Sequence, residues 1–255
     1  MIGSIPKYRL EVALVLGLSL GQSAIYAIIS LIANLTASGE YRDQSTTIVS
    51  PKSVRPLLDL TYQLAEIFFA LLPVLLALYF LSQQRPKILQ DIGADLSRPG
   101  KDFSWGLGLC ALIGVPGLVF YLASRTAGLN INVEPVSIDP YWWAPVVLIL
   151  VALKTAVIEE VIVVAYLARR GQDLGASTLG IVLFSSILRG SYHLYQGLGA
   201  FFGNFIMGVV FSLFFLKFSR GKRVLPLVIA HFIIDLVAFV GWAYAPQTWL
   251  KWLGL

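Results

Sequence analysis

Two adjacent carboxylates, Glu159 and Glu160, interrupt the otherwise apolar run from Lys154 to Tyr166. The surrounding segment, from about Tyr141 to Leu167, is long enough to cross a bilayer as a helix. A charged side chain in hydrocarbon costs at least about 2.5 kcal/mol on insertion scales, so a doublet there is not placed for stability. The chain has only two histidines, His193 and His231, and both fall in later apolar segments. His231 and Asp235 are four residues apart, on one helical face, where the aspartate can accept from the imidazole and fix its tautomer. Arg189 and His193 have the same spacing, and Asn204 lies in the next apolar segment. Taken singly, each is explained by a satisfied polar core or by an ion pair that fixes helix packing. Gathered in one stretch, they suit a reaction. A carboxylate and an imidazole can hold and deprotonate a water, directly or through a metal. A second histidine and an amide can then stabilise an oxyanion. No serine or cysteine has the company of a nucleophile, since Ser191 lies two residues from His193 and turns to another face. Peptide hydrolysis within a membrane cavity follows from this set. Proton-coupled transport draws on the same residue types and is the alternative that spacing leaves open.

The elements that must position these residues are helices. Apolar residues make up 57% of 255 and charged residues 13%, with a mean hydropathy of +0.78, which marks a polytopic membrane protein. The net charge of +5 reflects basic loops rather than a nucleic-acid partner. The single cysteine, Cys110, excludes an intrachain disulfide and a Cys-based metal site. The expected architecture is an all-α transmembrane bundle of about seven spans, forming one integral membrane domain over residues 1–255. Hydropathy places the spans near 10–35, 61–82, 105–123, 141–167, 176–195, 199–218 and 225–244, with Pro73 kinking the second. Trp142 and Trp143 read as an interfacial pair, Gly199 and Gly203 as a close-packing pair, and the tail from Pro246, with Trp249 and Trp252, as an interface segment. With the N-terminus inside, inner segments hold twelve Lys and Arg and outer segments five. That asymmetry predicts a cytoplasmic N-terminus and an outer C-terminus.

The order Glu159-Glu160, His193, then His231-x-x-x-Asp235 resembles the CAAX prenyl protease and bacteriocin-processing family, also called the Abi family. The wider context, from Leu188 to Gly197 and then Gly203-Asn204, looks like a bacterial branch, which implies a bacterial cell membrane. The resemblance covers about 144–242, and the spans over 10–123 carry no signature. It implies an intramembrane protease whose site opens to the cytoplasm and whose partner is a membrane-bound or lipid-modified peptide. Glu159 would activate the water with Glu160 as its support, and His193, His231 and Asp235 would complete the site. The mechanism would be either metal-free or built on zinc held by Glu159, His193 and His231. Some Abi proteins act without proteolysis, so a silent relative that binds a peptide or partner in the same cavity is a second reading.

Two positions depart from the family pattern. Its first motif places an arginine where this chain has Val164, and its second places a phenylalanine where it has Arg189. A buried arginine and a buried glutamate without partners are both costly, so the departures read as one exchange: Arg189 should meet Glu160 across spans four and five. A straight fifth span creates a conflict of depth. Counted from the inner helix ends, Glu160 and His231 lie at about 10–14 Å and His193 near about 27 Å. Span five must start far out, tilt or break early.

Overall fold

The computed structural model describes residues 5–218, 222–246 and 248, and it is an all-α bundle. Its helices are α1 (Ile5–Gly17), α2 (Leu20–Thr36), α3 (Pro56–Ala70), α4 (Leu72–Ser82), the single turn α5 (Ile88–Asp91) and α6 (Pro99–Thr126). There follow α7 (Ala144–Ile158), a π-helical stretch over Glu159–Tyr166, α8 (Leu167–Asp173), α9 (Thr178–Ser191), α10 (Leu198–Leu213) and α11 (Leu225–Tyr244). Proline opens α3, α6, α7 and α11 in the first turn, where its fixed φ suits a helix and its missing N–H costs nothing. Two short strands, β1 (Ser45–Val49) and β2 (Asn132–Val136), pair in parallel with Ser45 opposite Asn132, in segments that hydropathy reads only as polar loops.

Contacts sort the connections into two ends. At the basic end, Arg85 bridges Asp173 at 2.5 Å and Asp91 at 3.2 Å, and the Val224 N–H donates to the Ile92 carbonyl at 2.8 Å. At the strand end, the β1–β2 pair lies near an isolated bridge between Asn130 and Gly197. The Asp59 carboxylate accepts there from the backbone N–H groups of Lys52 and Ser53. Between these ends the described chain passes back and forth as α1–α2, α3–α4, α6, α7–α8, α9, α10 and α11. Four of these passes are long and apolar enough to span a membrane by themselves: Pro56–Ser82, Pro99–Thr126, Leu198–Phe218 and Leu225–Tyr244. The pair α1–α2, bent by 52°, makes a fifth if taken as one span. The other two passes are α9, only 14 residues long, and the rod from α7 to α8 that carries the carboxylates. With exposed apolar faces on α2 (Ile25, Ile29, Ile32) and α6 (Leu112, Val115, Val119), this is an integral membrane protein.

Several expectations change in detail. The first span is broken between Gly17 and Leu20 rather than continuous. The chain breaks at Leu71, two residues before Pro73, which sits in the first turn of α4. Only Trp142 is exposed; Trp143 is 2% exposed and packs with Val49 and Val136 under the strands. Gly199 lies against Ser124 and Asn130 and Gly203 against Phe120, so the glycine pair does serve close approach to α6 and the loop after it. The tail segment with Trp249 and Trp252 lies outside the described residues.

The basic end is tied by buried ion pairs. Arg170, with no exposed side-chain surface, meets Glu11 at 2.5 Å and Asp173 at 2.9 Å and lies over the Tyr8 ring at 4.5 Å. Arg223 clamps Asp102 at 2.5 Å and Asp95 at 2.6 Å, joining the residues just before α11 to the first turn of α6 and the loop that precedes it. The Arg223 hydrogen bond holds the Asp95 carboxyl below the usual carboxylate range. A depressed carboxylate stabilises the fold above its unfolded pKa of about 3.9 and loses that contribution as pH falls through its lower folded value. Asp95→Asn should therefore melt earlier than the parent protein near neutral pH in detergent, and the gap should close in acid. A gap that stays constant with pH would show that the clamp holds by shape alone.

Candidate active site

Glu159 and Glu160 begin the π-helical stretch, every residue of which is buried. Such wide turns leave the usual i→i−4 ladder and occur often at functional sites. Glu160 is wholly buried, and its Oε1 accepts from Arg189 Nη2 at 2.7 Å. The contact expected across the fourth and fifth passes is therefore present. The same oxygen lies 2.7 Å from His231 Nδ1. A carboxylate beside a guanidinium accepts only, so Nδ1 carries a proton. His231 Nε2 then faces Asp235 Oδ2 at 3.5 Å, the pairing that the i, i+4 spacing predicts. Arg189 also reaches Glu159, with Nη1 3.4 Å from Oε2, and its guanidinium lies 5.6 Å from the Phe211 ring centre.

Tyr192 was not legible as a site residue. Its hydroxyl donates to Glu159 Oε2 at 2.7 Å, and the residue is buried. The only signal was its place next to His193, three residues after the buried arginine, and a tyrosine in an apolar helix passes equally for core.

His193 lies past the end of α9. That helix stops at Ser191 and the chain enters a 3₁₀ turn over Leu194–Gln196, so the fifth pass breaks before its expected end. Gly197 closes the turn at φ +121°, a conformation open to glycine, and an added Cβ would meet the Leu129 carbonyl. Asn130 reinforces it by accepting from the Ala200 N–H at 3.0 Å in the first turn of α10. The His193 ring turns back so that Nδ1 lies 3.0 Å from the Arg189 carbonyl. A carbonyl only accepts, so Nδ1 donates and Nε2 is left with its lone pair. The i, i+4 pairing of Arg189 and His193 is thus real but runs to the backbone of Arg189. Asn204 is half-buried and donates to the Ala200 carbonyl of its own helix at 3.0 Å; no hydrogen bond recorded for it reaches the acidic pair.

Among the described residues, one group could hold a metal: Glu159, Glu160 and His231, with one ligand atom from each within 4.8 Å of the others. This differs from the set expected from the sequence, because His193 stands outside the group and Glu160 inside it. Glu160 enters the group because its Oε1 lies 2.7 Å from His231 Nδ1, and His193 stands beyond the end of α9. Glu160 Oε2 is a buried acceptor without a hydrogen-bond partner, so the donors fit a divalent cation.

Residues 141–237 match a family model described as type II CAAX prenyl endopeptidase, Rce1-like. The match spans the helices that hold the two buried carboxylates, Arg189 and His231, and the turn that carries His193. Over the matched residues, which include Glu159, Glu160, His193, His231 and Asp235, the chain is similar to the CAAX prenyl endopeptidase family. No curated protein and no solved structure gives a significant match.

Removing one partner of a buried ion pair costs about 3–5 kcal/mol, because the other charge is left uncompensated. Arg189→Met and Glu160→Gln should each lower the melting temperature of the detergent-solubilised protein sharply. The double variant should lose clearly less than the sum of the two. Additive losses would mean that the two side chains do not depend on one another.

Proposed function

We propose that the protein is an intramembrane endopeptidase that hydrolyses a peptide bond in a membrane-bound or lipid-modified peptide, with Glu159 activating the attacking water. The observation that carries this reading is the division of labour between the two carboxylates. Glu160 is fully enclosed, with Oε1 committed to Arg189 and His231, whereas Glu159 is 5% exposed and held through Oε2 by Tyr192 and Arg189. A base fixed through one oxygen keeps the other for a water. Glu159 takes the water proton as the oxygen attacks the peptide carbonyl, and returns it to the leaving amine. Arg189 holds Glu159 as a carboxylate while the proton is away. Asp235 and Glu160 fix His231 between them. His193, oriented through Nδ1, offers Nε2 to the substrate and, as an imidazolium, a donor to the oxyanion; Asn204 lies on the neighbouring helix in a supporting place.

A divalent cation such as zinc, held by Glu159, Glu160 and His231, would supply a polarised water when bound. The metal-free form is the one proposed, since Arg189 already brings a positive charge to both carboxylates. In the bilayer the N-terminus lies on the cytoplasmic side and the C-terminus outside, because Arg85, Arg169, Arg170 and Arg223 collect at the end where the chain starts.

Glu159→Gln tests the reaction. Membrane proteomes of a strain lacking the protein and of a Glu159→Gln strain should share an uncut peptide that the parent strain cleaves. A variant that still cleaves removes Glu159 as the base. Residues of one catalytic unit are grossly non-additive, so Glu159→Gln with His231→Ala should be about as inactive as either alone. Cleavage by the purified protein should persist after exhaustive chelation, with no metal in the sample. Loss on chelation, restored by zinc, would assign the metal form.

A further inference from the structure

The π-helical stretch leaves one backbone carbonyl without a donor in its own helix. Leu167 N–H donates to the Ile162 carbonyl, five residues back, and α8 then resumes the four-residue step. On that return the ladder passes over one carbonyl, that of Val163. Val163 is fully buried, and a bare carbonyl at membrane depth is costly because neither water nor lipid can donate to it. Ser185 on α9 supplies the donor: its Oγ gives its proton to the Val163 carbonyl at 2.7 Å. A serine in an apolar helix can bond the carbonyl one turn back on its own helix, as Ser191 does with Ile187. Ser185 reaches across to another helix instead. Ser212 on α10 donates to Ser185 Oγ at 3.1 Å, so the hydroxyl protons run one way, from Ser212 to Ser185 to Val163.

Close packing brings these serines to the rod. Gly171 on α8 lies against the Ile181 side chain, and Gly208 on α10 lies against the Ser186 backbone, so α9 sits tightly between its neighbours. Ile181, Ser185 and Arg189 follow at four-residue steps along one face of α9, and all three are buried. On that face Arg189 binds the two acids, and Ser185 binds the stretch that follows them. We propose that Ser185, backed by Ser212, is a positioning residue: its bond to the Val163 carbonyl holds the π register, and that register aims Glu159 and Glu160 at Arg189. Without the hydroxyl, the nearest donor for this carbonyl is the Leu167 N–H of its own helix, and taking it closes the wide turn. Each residue turns a helix by about 100°, so a one-residue change of register swings the acids away from Arg189 and His231. The placing of Glu159 as a base rests on the endopeptidase reading; the hold on the acids does not.

The coupling between Glu160 and Arg189 reads the placement of the acids without any activity. Melting temperatures of Glu160→Gln, Arg189→Met and the double variant are measured in detergent in the parent, Ser185→Ala and Ser185→Thr proteins. The departure from additivity should be clearly smaller with Ser185→Ala and largely kept with Ser185→Thr, which retains a hydroxyl. A loss of packing alone lowers every melting temperature and leaves the coupling as it was. That result overturns the proposal, and so does a threonine no better than alanine. Where Ser185→Ala does not accumulate, Ser212→Ala is read in its place: a smaller loss of coupling supports the proposal, and an unchanged coupling overturns it. On a cleaved peptide, Ser185→Ala should lower kcat by about a hundredfold with KM little changed, the cost of moving a reacting group by about 1 Å. An unchanged kcat overturns the proposal. If the coupling shrinks while Glu159→Gln alters no peptide in the membrane proteome, the endopeptidase reading fails and the hold on the acids stands. If the coupling holds while Glu159→Gln abolishes cleavage, the endopeptidase reading stands and Ser185 is packing only.

Discussion

Glu160 Oε1 receives a guanidinium from one helix and an imidazole from another, and the remainder of the site is arranged around that oxygen. In a low-dielectric interior, none of the three groups can be charged alone at tolerable cost, so their burial is collective. The pairing joins the π-helical stretch to α9 and α11, and it also sets the chemistry. Once Arg189 is committed to Glu160, its second nitrogen rests near Glu159, and the tyrosine three residues later on the same turn closes on that carboxylate. Glu159 is thus held by groups whose first role is to make the other carboxylate tolerable.

What the sequence disclosed follows the same economy of charge. Burial of Arg189 and Glu160 left each with few partners, so their meeting could be inferred from the positions where this chain departs from the family motif. The His231–Asp235 pair was legible because helical spacing alone places both on one face. The helices themselves followed from hydropathy, which is strong wherever a segment must meet lipid.

The unforeseen features depend on local geometry that composition does not encode. The π-helical turns differ from α turns only in hydrogen-bond register, and a run such as Val161-Ile162-Val163-Val164 serves either. The break after Ser191 has no proline to announce it, and His193 stands just beyond it, outside the group of Glu159, Glu160 and His231. Five-residue strands at the bundle end were hidden because short polar connections and edge strands have similar composition. Tyr192 was hidden for the opposite reason: an aromatic residue in an apolar helix needs no explanation until its hydroxyl is seen on a carboxylate.

The π-helical stretch has a consequence for how this rod can change. Upstream of it, α7 is phased to the strand-end core through Trp143, Val147 and Val151; downstream, Arg169 and Arg170 must point at Asp91, Glu11 and Asp173. A regular α-helix through all thirty residues from Ala144 to Asp173 would carry one fixed angular offset between those two sets. The wide turns absorb the mismatch, acting as a coupling between two shafts that are out of phase. The carboxylates sit in that coupling, so neither anchor can be rotated by insertion or deletion without turning the acids away from Arg189 and His231. The rod can accept substitutions, but its length is locked.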